Sequence, residues 1–207
     1  MHPTLLRLDP SECISRIEQM DLNTEGLLRA ADAAVSAASD ASPFDPSNAS
    51  GTFAYIFGTR AMREEFVSSR WTVDRQEAVE AIRNESLKIR VVFQNVDVAC
   101  NEKLQPKPRS KKGAGSERTC SENMLFDAEA IPHYTPAPTK GDYATYYLMV
   151  DESGACELSC PIVMNGTFTS FLERIFLTDS SGIPVTLSQD EDNDAVESFD
   201  PPVVRKK

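Results

Sequence analysis

"SLKIRVVFQNVDVAC", residues 86–100, is where the periodicity of the chain changes. Leu87, Ile89, Val91 and Phe93 alternate with Lys88, Arg90, Val92 and Gln94, the period-two pattern of a half-buried strand. At Gln94-Asn95 the phase flips, and Val96 and Val98 take over the apolar positions. A one-residue shift turns every side chain to the opposite face, so a bulge or tight turn is expected at Gln94-Asn95.

Upstream of this stretch the signals are helical. Asp9-Pro10 can cap and open a helix through "SECISRIEQM". Asn23 can cap "TEGLLRAADAAVSAASDA", where Leu27, Ala31, Ala34 or Val35, and Ala38 share one face. That face is almost all alanine, so a neighbour can approach closely. "SPFDPSNASG" then reads as a loop. The apolar run Thr52–Phe57 fits a strand or a buried helix, and helix is preferred because "TRAMREEF" continues with helix formers. Thr72 is expected to cap a further helix through "VDRQEAVEAIRNES".

Downstream the signals are strands. "NMLFDAEAI", residues 123–131, reads as one, followed by a proline-punctuated connector. Two segments then rhyme. "YLMVDESGACELS" at 147–159 and "IFLTDSSGIPVTLS" at 175–188 each place Asp-x-Ser-Gly between apolar runs, and both read as β-hairpins with shared turn chemistry. Between them, "TFTSFLERIF" fits either a strand or an amphipathic helix after Asn165-Gly166. Helices first and strands after predict an α+β fold. Its N-terminal helices should pack on one face of a mainly antiparallel C-terminal β-sheet. The expected organisation is a single domain over residues 1–188, helical over about 10–85 and sheet over about 87–188. Residues 189–207 are expected to be a disordered acidic tail, too poor in large apolar groups to offset the entropy of ordering.

Composition sets further bounds. An apolar fraction of 41 % is enough for a core, and no run approaches the roughly 18 apolar residues of a membrane span. The first residues lack a signal-peptide pattern, and the five cysteines are an odd number, so a cytoplasmic protein with free thiols is expected. The formal net charge is -11, but its distribution is uneven. Residues 1–50 carry 3 cations against 8 carboxylates and residues 151–207 carry 4 against 11, whereas the middle is balanced.

Several chemistries are disfavoured. If Cys156 and Cys160 lie on one strand they are about 13 Å apart. Two thiolates on one zinc lie within about 4 Å of each other, so these two suit small core side chains better than ligands. The only histidines are His2 and His133, and no Gly-x-Ser-x-Gly elbow appears. "KKGAGSER" lacks the Gly-Lys-Ser/Thr ending of a phosphate loop. No catalytic role, metal or cofactor is therefore expected.

The segment "EKLQPKPRSKKGAGSERTC", residues 102–120, stands out. It concentrates Lys103, Lys107, Arg109, Lys111, Lys112 and Arg118 between two predicted strands. Pro106 and Pro108 extend its first half, and Gly113 and Gly115 allow a close backbone approach. Such a loop can neutralise phosphates without fixed geometry, and without aromatic residues it should contact the backbone rather than stack on bases. The expected function is thus a small non-catalytic accessory protein that contacts DNA or RNA phosphates, weakly specific for sequence. The alternative is an acidic protein-binding module or inhibitor that mimics a polyanion. In that case Asp190, Glu191, Asp192, Asp194, Glu197 and Asp200 would face a partner with a basic surface, as in a phage or mobile-element factor blocking a host system. The same tail could fold back on the basic loop. Deleting residues 186–207 should then tighten binding at low salt, and unchanged affinity would reject that gating.

Overall fold

The computed structural model describes residues 4–121, 123 and 143–185. Within them the chain is α+β. A short strand at Leu5–Arg7, ahead of the expected helices, is followed by α1 (Pro10–Gln19), α2 (Thr24–Ser39) and α3 (Ala49–Phe66). Asp9 caps α1 by accepting from the amides of Ser11 and Glu12, and Asn23 caps α2 by accepting from Gly26. Thr52–Phe57 is helical, as the helix formers that follow it predict, and lies in the first half of α3.

Seven strands form one sheet: β1 (Leu5–Arg7), β2 (Trp71–Asp74), β3 (Ala81–Asn84), β4 (Ile89–Asn95), β5 (Ala144–Val150), β6 (Cys156–Met164) and β7 (Thr167–Phe176). Their order is β1-β7-β6-β5-β4-β3-β2. The sheet is mixed rather than mainly antiparallel, because β1 runs parallel to β7 and β4 parallel to β5. A parallel pair needs a long crossover, and the β4–β5 connection carries a fourth helix, α4 (Ala114–Ser121).

Of the expected face of α2, Leu27, Ala31 and Ala34 are buried and Ala38 only partly so, and Ala30 and Ala37 are buried beside them. Helices α1–α3 cover one sheet face, where Ile17, Leu27 and Met62 meet Val91, Phe93, Tyr146 and Leu148. The opposite face is covered too. Val92, Val96, Tyr147, Met149, Phe168 and Phe171 form a second cluster there with Cys120 of α4. Strand β4 is therefore buried on both sides, not half-buried. This removes the expected irregularity at Gln94-Asn95. Ile89, Val91 and Phe93 face the helices, while Val92 and Val96 share the other face in unbroken alternation. The apparent phase flip is the apolar content moving from one buried face to the other.

The helix expected from Thr72 does not form. Residues 71–84 make the β2–β3 hairpin, Trp71↔Asn84 to Asp74↔Ala81, around a short 3-10 turn at Gln76–Ala78. Tertiary pairing overrides the local signal there: Trp71 and Ile82 are core residues, and Asp74 accepts from the Arg90 guanidinium of β4 at 2.8 Å. Residues 167–176 are strand, and Asn165 and Gly166, both at positive φ, turn the β6–β7 hairpin. The two Asp-x-Ser-Gly turns match in detail. Asp151 and Asp179 each accept from the amide and hydroxyl of the serine two residues on. The first joins β5 to β6; the second closes on an isolated Thr178↔Pro184 bridge. The expected strand at 123–131 and the acidic tail lie almost wholly outside the described residues. Among those described, no helix is long and apolar enough to cross a membrane.

Candidate functional site

The basic segment is docked on the body rather than projecting from it. Asp97 N–H donates to the Lys107 carbonyl and Arg109 N–H to that of Asn95, around an isolated Val96↔Pro108 bridge. Further along, Lys112 N–H donates to the Gly166 carbonyl at 2.8 Å. Near the start, Arg174 donates to the carbonyls of Asn101 and Leu104. Arg174 is itself held by the buried carboxylate of Glu157, which also accepts the Cys100 amide at 2.7 Å. A buried ion pair on the sheet thus clamps the chain just ahead of the basic residues. The second half of the predicted loop is not loop at all but α4. Gly115 is needed there for packing, since a methyl would strike the Glu77 carbonyl of the 3-10 turn.

The six cations separate into three environments. Arg118 pairs with Glu77, and Arg109 pairs with Glu152 of the β5–β6 turn. Lys103, Lys107 and Lys111 are exposed, and none has a carboxylate partner among the described residues. Lys112 turns inward. Its ammonium donates to Gln94 of β4 and lies 5.0 Å from the centre of the Tyr147 ring. Burial pulls its pKa down to about 8.

Arg109, Lys111 and Lys112 line one cleft of ≈ 660 Å³. Its floor is the carboxyl end of β4, Gln94 and Asn95, and its far wall is the start of α3, where Asn48, Ser50, Gly51 and Thr52 stand. Asn48 occupies the N-cap of α3 without a side-chain cap bond, and the positive end of the helix dipole meets the cleft at this turn. Tyr55, half-exposed, completes the wall. Among the described residues, three of the charged side chains lining the cleft are cationic and one, Glu152, is anionic. On a chain with net charge -11 this is a local reversal of sign. The size is within the range of small-ligand sites.

Sequence pattern indicates the loop cations but not this cleft. Gln94, Asn95, Ser50, Gly51 and Tyr55 carry no motif; only the docking of α3 against β4 brings them beside Lys111 and Lys112. Gly58 of α3 makes that docking close, because a side chain there would run into the Phe93 ring. The cysteines sit away from the cleft wall. Cys156 and Cys160 are both in the helix-side core as strand geometry predicts, Cys100 donates to the Cys156 carbonyl, and Cys120 lies under the Tyr147 hydroxyl. Burial pushes the Cys120 thiol up to about 11 and the Cys100 thiol up to about 12. The acidic residues Asp190, Glu191, Asp192, Asp194, Glu197 and Asp200 are outside the described residues. No protein-family model, curated protein or solved structure matches the chain.

Proposed function

We propose that this chain is a non-catalytic accessory protein that contacts nucleic-acid phosphates at the cleft between α3 and residues 109–113. Lys111 and Lys112 hold the phosphate, the first turn of α3 offers amide donors, and Lys103 and Lys107 give the approaching strand a cationic path. The observation that supports this best is the convergence of Arg109, Lys111 and Lys112 on one cleft of an otherwise acidic protein. The contact differs from that of a loop without fixed geometry, because the docked backbone fixes where the cations stand.

The test is a gel-mobility and anisotropy titration with single-stranded DNA and RNA at low salt. Binding should weaken in Arg109→Ala, Lys111→Ala and Lys112→Ala. Arg118→Ala should leave it unchanged, since Arg118 pairs with Glu77 and does not line the cleft. A protein that binds no nucleic acid but displaces it from a basic partner would instead support the polyanion-mimic role.

A further inference from the structure

The cleft adjoins a second cavity of ≈ 320 Å³ with a different character. Ala34, Val35 and Ala38 of α2, Ala54 of α3 and Val150 of β5 give it apolar walls. Asn95, Arg109, Glu152, Ser50 and Gly51 line both spaces, so the apolar cavity begins where the cationic cleft ends. We infer that this cavity takes the base of an unpaired nucleotide whose phosphate rests on Lys111 and Lys112. The inference depends on the phosphate-binding role proposed above and specifies its ligand: a nucleotide with a free base, not duplex.

Four features of the juxtaposition carry it. The walls are short side chains, which leave room for a flat ring and bury its apolar faces. Arg109 stands on the shared wall, where a guanidinium plane can stack on a base. Asn95 stands there as well. Its Nδ2 donates to the Gly51 carbonyl at 2.7 Å, while its Oδ1 has no donor among the described residues and can accept from a base amino group. Finally, the neighbouring charge suits a phosphate, with three cations against Glu152, and Glu152 is already paired to Arg109. The other carboxylate on the apolar cavity, Asp151, is occupied by the amides of Ala99, Ser153 and Ala155. A neutral base meets no unpaired charge there. Bases stacked within a duplex cannot enter, so the geometry selects single strands or free nucleotides.

The experiment compares the unaltered full chain on three fluorescent probes at low salt: short oligo(dT), an abasic phosphodiester of the same length, and duplex DNA. The abasic and duplex probes should bind about tenfold more weakly or worse, the usual worth of a buried, stacked base. Ala38→Phe, which fills the cavity from a half-exposed position on α2, should bring oligo(dT) affinity down to that of the abasic probe, with the fold checked by thermal melting. Competition by thymidine monophosphate distinguishes sources. Displacement identifies a free nucleotide as sufficient, and its absence identifies a strand; both outcomes place the base in the cavity when the abasic probe is weaker. Equal affinity for oligo(dT) and the abasic probe overturns the inference and leaves phosphate binding intact. No binding of any probe overturns both.

Discussion

Lys112 holds its ammonium 5.0 Å from the centre of the Tyr147 ring and 5.9 Å from that of Phe168, with Gln94 as hydrogen-bond acceptor. A cation set over two aromatic rings and bonded to a side-chain amide is poorly hydrated. That combination makes its charge sensitive to pH in a range where exposed lysines are not.

Burial lowers the pKa of Lys112 from 10.5 to about 8, opposed only by the nearby Cys120. Affinity for an oligonucleotide should therefore fall as pH rises through about 8, and Lys112→Arg should abolish the fall because a guanidinium stays charged. The stability effect has the opposite sign. Between about 8 and 10.5 the unfolded chain keeps a Lys112 proton that the folded chain has lost, so this group favours the fold as pH rises. The buried thiols of Cys100 and Cys120, raised to about 12 and about 11, act in the opposite sense above about 9. The Lys112 contribution is read as the difference between the unaltered chain and Lys112→Met. Binding titrations and urea melts across this range check both directions.

Arg109 and Glu152 form a pair with side chains 41 % and 74 % exposed. At that exposure the pair contributes under about 1 kcal/mol to stability. Glu152→Gln should leave the urea midpoint nearly unchanged while tightening oligonucleotide binding by up to about fivefold, because among the described residues it removes the one carboxylate lining the cleft. Weakened binding in E152Q would show that Glu152 positions Arg109 rather than neutralising it.

Glu157 and Arg174 are a different case, with both side chains buried and bonded at 2.7 Å. Glu157→Gln leaves a guanidinium uncompensated in the interior and weakens the support of the Cys100 amide. A loss of about 3–5 kcal/mol is expected in chemical denaturation. The clamp on residues 99–104 should loosen with it, seen as faster amide exchange at Cys100.

Gly58→Ala tests the α3–β4 packing that forms the cleft wall. Alanine gains about 1 kcal/mol of helix propensity over glycine. Against this, the added methyl strikes three atoms of the fully buried Phe93 ring, not the tip of a mobile side chain. Overpacking of this kind costs about 1–3 kcal/mol, so a net loss of stability is expected, together with weaker binding as α3 is displaced.

Much of the scaffold is legible because its signals are local. Asp9 and Asn23 announce their helices through cap chemistry, and the Asp-x-Ser-Gly turns specify their own hydrogen bonds. The features that escape such a reading depend on partners distant in sequence. Residues 71–84 look helical until Trp71 finds the core and Asp74 meets Arg90. The β4 pattern looks like a phase shift until both sheet faces are seen to be covered. The same holds for the site. A run of lysines marks the segment, but Lys112 turns inward to Gln94 and Tyr147, Arg118 pairs with Glu77, and the cleft exists only because α3 lies against the end of β4.

The salt dependence of binding tests the phosphate interaction most directly. Oligonucleotide affinity is measured over a range of salt for the unaltered chain and for K111Q/K112Q. With one phosphate held by the two lysines, the slope of log affinity against log salt should become shallower by about 0.7, the contribution of a single-strand phosphate that is no longer neutralised. An unchanged slope and affinity in the double variant would contradict phosphate binding at this cleft.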